Sequence, residues 1–74
     1  MSTYPIPTGP LEREPDPLFL PRADLQLMLE RALGPIEVGA WDRRIVAWLA
    51  DLDASTVRTL ASLIVRARVA GKEA

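Results

Sequence analysis

The sequence predicts an all-α protein, in which a compact three-helix domain follows an extended, proline-rich N-terminal arm. Apolar side chains recur every three or four positions in three separate stretches after residue 20, which is the spacing of an amphipathic helix. Six of the seven prolines lie within residues 1–21, where they fix backbone angles and remove hydrogen-bond donors. No stretch of useful length alternates apolar and polar residues as a half-buried strand does. We therefore divide the chain into an arm, 1–20, and a domain, 21–74.

The arm ends in three consecutive apolar residues, Leu18, Phe19 and Leu20. Its prolines and mixed charges predict extended, polyproline-like or disordered backbone. Two interpretations of the apolar triplet stay open. It folds back onto the helices as a lid, or it is a short recognition motif that docks into a groove of a partner.

The first helix is predicted at about 21–33. Pro21 suits the first helical position, where its missing N–H costs nothing, and Gly34-Pro35 is a strong stop signal. One helical stripe predicts the buried face. It consists of Leu25, Met28, Leu29, Ala32 and Leu33.

The second helix is predicted at about 40–52, with Gly39 as its N-cap. The two tryptophans, Trp41 and Trp48, are seven residues apart and therefore lie on one side of the helix. A tryptophan stripe at this spacing usually packs in a core, which is the first interpretation, and an aromatic binding surface is the alternative. The predicted apolar face contains Trp41, Ile45, Trp48, Leu49 and Leu52.

The third helix is predicted at about 54–70, with Asp53 as its N-cap and Gly71 as the left-handed residue that closes it. Its core stripe is expected to be Val57, Leu60, Ala61, Ile64 and Ala67, widened by Leu63. Val65 and Val69 lie four residues apart on a different side. Either other parts of the chain surround this helix, or these two valines contact another molecule.

Composition argues against an enzyme. The chain has neither cysteine nor histidine, so disulfides, the common zinc sites and the usual nucleophile–base pairs cannot be built. The carboxylates Asp51 and Asp53 flank a turn between helices, where capping explains them. We expect no catalytic residue, no metal site, no cofactor and no small-molecule substrate.

Charge and hydropathy bear on location and partners. The formal net charge is −1, yet residues 54–74 carry four basic and one acidic side chains. No basic region followed by an apolar run marks a signal peptide, and no stretch approaches the roughly 20 apolar residues of a membrane span. We expect a cytoplasmic protein (bacterial, or in the host cytoplasm if phage-encoded) with no membrane partner.

Residues 45–64 resemble a helix-turn-helix. The resemblance rests on Ala47, Leu52, Val57 and Leu60 around a short turn. Asp51 stands where that family usually has glycine. The resemblance implies DNA contacts from one face of the third helix and its basic end. The residues concerned are Ser55, Thr56, Arg58, Thr59, Arg66 and Arg68.

A second resemblance covers the region from Pro21 to Gly71, which is similar to short uncharacterised helical proteins of actinobacteria and their phages. It implies a bacterial or phage origin and no particular activity. The segments that carry it are Leu20-Pro21-Arg22-Ala23-Asp24-Leu25, Glu30-Arg31-Ala32-Leu33-Gly34-Pro35 and Thr59-Leu60-Ala61-Ser62-Leu63-Ile64.

The first functional hypothesis is a small, non-enzymatic module that self-associates or binds a protein partner through apolar helix surface, with two arginines at the rim. The alternatives are a helix-turn-helix DNA-binding regulator or accessory factor, and a small structural component of a larger assembly such as a phage particle. The predicted partner-binding residues are Leu18, Phe19, Leu20, Val65, Val69, Arg66 and Arg68.

Overall fold

Three helices make up the protein, as the sequence predicts, in a computed structural model that describes residues 6–15 and 20–73. They are α1, Arg22–Leu33; α2, Ala40–Leu49; and α3, Ala54–Glu73. Residues 6–15 contain no helix or strand. Helix α1 is the central element, because it packs against α3 along most of its length and also contacts α2.

Helix α1 buries the stripe that its spacing predicts. Leu25, Met28, Leu29 and Ala32 are all buried. Pro21 is the N-cap, and its carbonyl accepts hydrogen bonds from the N–H groups of Asp24 and Leu25 at 2.9 and 3.1 Å. The helix ends at Gly34, whose φ of 72° lies in a region that residues with a Cβ rarely adopt.

Helix α2 begins where predicted, because the Gly39 N–H donates to the Asp42 carboxylate at 2.9 Å. It ends three residues earlier than expected. The N–H groups of Asp51 and Leu52 donate to the carbonyls of Trp48 and Leu49, each at 3.0 Å. These bonds reach back three residues instead of four, which tightens the end of a helix into a turn.

Helix α3 confirms its predicted N-cap but not its predicted end. The Asp53 carboxylate accepts a hydrogen bond from the Thr56 N–H at 3.1 Å, as an N-cap side chain does. The helix continues through Gly71 to Glu73, so the prediction that Gly71 closes it is wrong. Within the described residues the glycine with positive φ is Gly34.

The hydrophobic core combines α1 with small residues from the other helices. The buried apolar residues are Leu20, Leu25, Met28, Leu29, Ala32, Ala50, Val57 and Ala61. The alanines let the helix backbones approach closely, while Leu29 and Val57 are among the largest fully buried side chains. Partly buried residues pack around this cluster, including Ile6 from the N-terminal segment.

Helix α2 presents only part of its predicted face to the core. Leu49 and Leu52 of that face pack against the core together with Val46 and with Ala50, which follows the helix, whereas Trp41 and Trp48 are exposed. The interpretation of the tryptophan stripe as core is therefore wrong.

Most of the predicted stripe of α3 is confirmed, because Val57 and Ala61 are buried and Leu60 and Ile64 pack against the core. The helix also buries Arg58 and Ser62 beside this stripe, whereas Leu63 and Ala67 are exposed. The inner face is therefore shifted toward Arg58 and Ser62, and the predicted widening at Leu63 is wrong.

Candidate functional site

Among the described residues, those predicted to bind a partner do not share one exposed surface. Leu18 and Phe19 lie outside the described residues. Leu20 is buried in the core, and Val65 is partly buried and packs against it. Of the apolar residues predicted for this surface, Val69 is exposed. The positions of Leu20 and Val65 agree with the other two interpretations, in which the end of the arm folds back onto the helices and other parts of the chain surround α3.

The two arginines predicted for the rim make contacts within the chain. The Arg66 Nε donates to the Ser62 hydroxyl at 3.2 Å, and Ser62 itself is fully buried. The Arg68 Nη1 donates to the Ala32 carbonyl at 2.9 Å. Because Ala32 is in the last turn of α1, this hydrogen bond satisfies a carbonyl at the negative end of that helix.

The residues of the predicted DNA-contact face are also held by local contacts. The hydroxyls of Ser55 and Thr56 donate to the Asp53 carboxylate at 2.6 and 2.7 Å, and the Thr59 hydroxyl donates to the Ser55 carbonyl at 2.8 Å. Arg58 is only 9% exposed. It lies in the interior, whereas an arginine that contacts a DNA groove must be exposed.

An ionised carboxylate stands at the start of α3, beside the residues that the helix-turn-helix resemblance places toward the DNA groove. Hydrogen bonds from Ser55 and Thr56 lower the pKa of Asp53 from 3.8 to about 2. The charge therefore persists well into acidic solution. Glu14 lines the same open groove as Asp53, Ser55 and Thr56. Two acids at this place repel the phosphate backbone, on which affinity for DNA mainly depends.

The candidate binding surface among the described residues is an exposed aromatic row on α2. Trp41 is 67% exposed and Trp48 is 59% exposed, and Ile45 between them is also exposed. We call these three residues the aromatic face. Their spacing of four and then three residues aligns them in one row along the helix. Val46, Leu49 and Ala50 attach α2 to the core from the other side.

Charged residues border the aromatic face. The Arg44 guanidinium lies over the Trp41 ring at 5.7 Å from its centroid, a cation–π contact that helps to hold both side chains in place. Asp42 is engaged as the cap of α2 through the Gly39 N–H. Asp51 is engaged by the Arg22 Nε. Arg22 also donates to the Ala47 carbonyl at 2.8 Å.

Sequence reasoning identified the aromatic row but assigned it to the core. A signal against that assignment is present in the sequence. Helix α2 carries a second apolar row, which the small residue Ala50 extends just after the end of the helix. A small residue permits close helix contact, whereas two tryptophans need a deep pocket that a 74-residue chain with a small core cannot readily provide.

Comparison with protein-family models, with curated proteins and with solved structures finds no match to this chain. Functional inference therefore rests on the geometry itself. Among the described residues, no helix is both long and apolar enough to cross a membrane. Residues 6–15 and 20–73 also contain no group of three or more side chains arranged to hold a metal ion.

Proposed function

We propose that this protein is a small, non-enzymatic protein-binding module, and that the aromatic face of α2 is its contact surface. The observation that carries the proposal is the exposure of Trp41 and Trp48 in a row on a helix that is already attached to the core by its other side. Tryptophan is among the residues that most often dominate binding energy at protein interfaces.

The magnitudes support this role. A tryptophan buries about 150–250 Å² when fully covered, so covering the exposed part of each indole removes roughly 100–150 Å² from water. At about 25 cal/mol per Å², each indole contributes about 3 kcal/mol of gross hydrophobic free energy. Two such anchors suffice for the centre of an interface, and the remaining area is then supplied by the polar residues around them.

The proposal also relocates the contact surface from the third helix to the second. Val65 packs on the core, and Arg66 and Arg68 are held within the chain. The row of exposed apolar side chains that supports the proposal lies on α2. Leu63 and Val69 of α3 are exposed as well, and Leu63 serves as a control position.

Site-specific photocrosslinking in the cells that naturally express the protein tests this function. A photoreactive phenylalanine analogue replaces Ile45 in one variant and Leu63 in another. Both positions are exposed apolar sites on a helix. We expect a defined protein adduct from position 45 and none of that mass from position 63, since only the former lies in the aromatic face.

The specificity of that adduct is checked by substituting serine for both tryptophans, which should abolish it because the apolar anchors are gone. An adduct of equal yield from positions 45 and 63, or one that persists in the Trp41→Ser/Trp48→Ser background, would contradict the proposed contact surface.

A further inference from the structure

We draw no further inference here: the strongest candidate, the aromatic face of α2, belongs to the site already described, and nothing in the described part of the structure shows what covers it.

Discussion

Replacement of Leu29 by alanine is expected to lower the free energy of unfolding by about 2–5 kcal/mol, because it removes buried methyl groups and leaves a cavity. Leu29 is 1% exposed and lies in α1, the helix that contacts both others. A domain of this size has a total stability of only about 0.05–0.15 kcal/mol per residue. The expected loss is therefore a large fraction of the total stability.

Leu27, two positions away in the same helix, is the matched control. It is 52% exposed, and Leu27→Ala should change stability by no more than about 0.5 kcal/mol. Urea denaturation followed by far-ultraviolet circular dichroism measures both variants. Equal losses of stability would mean that α1 does not present the face to the core that the structure shows.

Substitution by alanine is expected to lower the free energy of unfolding at Gly34 and to leave it unchanged or raise it at Gly71. Gly34 has a φ of 72° and a ψ of −144°, a combination that is essentially restricted to glycine. A Cβ there would lie 2.7 Å from the Arg68 guanidinium. Gly34→Ala should cost about 1–3 kcal/mol and should also weaken the hydrogen bond from Arg68 to Ala32.

Gly71 lies inside α3, and a Cβ at that position meets no atom within 4 Å. Gly71→Ala should be neutral or stabilising by up to about 1 kcal/mol, since alanine is the better helix former. If Gly71 were the left-handed end of the helix, as the sequence alone predicts, the same change would destabilise. Thermal unfolding of the two variants decides between these expectations, and a stability loss in Gly71→Ala would contradict the observed length of α3.

Local signals were enough to predict the number of helices, several of their ends and the face of α1. Gly34-Pro35 stops α1, and Asp53 starts α3, because each acts on the backbone within a few residues of itself. The stripe from Leu25 to Ala32 is the clearest apolar row of α1 and is buried as expected.

The orientation of α2 and the full width of the inner face of α3 could not be predicted, because they depend on contacts between helices. Helix α2 has an aromatic row and an aliphatic row, and periodicity does not say which one meets α1. In α3, Arg58 and Ser62 look like polar interruptions, yet both are buried. The Arg66 hydrogen bond to Ser62 shows how a buried hydroxyl is satisfied in the folded chain.

In the candidate site, too, the local feature could be predicted and the tertiary one could not. Sequence spacing places Trp41, Ile45 and Trp48 in one row, which is a local property of the helix. Their exposure follows from the packing of Ala50 and its neighbours against the core, which is a tertiary property. Arg68 was predicted to lie at the rim of a partner interface. In the structure its guanidinium instead donates to the Ala32 carbonyl in the last turn of α1, where a basic side chain complements the negative end of the helix.

Quenching of tryptophan fluorescence by acrylamide, in dilute protein at several concentrations, tests most directly whether the fold leaves the aromatic face of α2 free. The protein has two tryptophans, so the emission reports on this face alone. We predict that both indoles are readily quenched, independent of protein concentration. Protected, blue-shifted emission at the lowest concentration would show that the tryptophans form the core and would contradict the account.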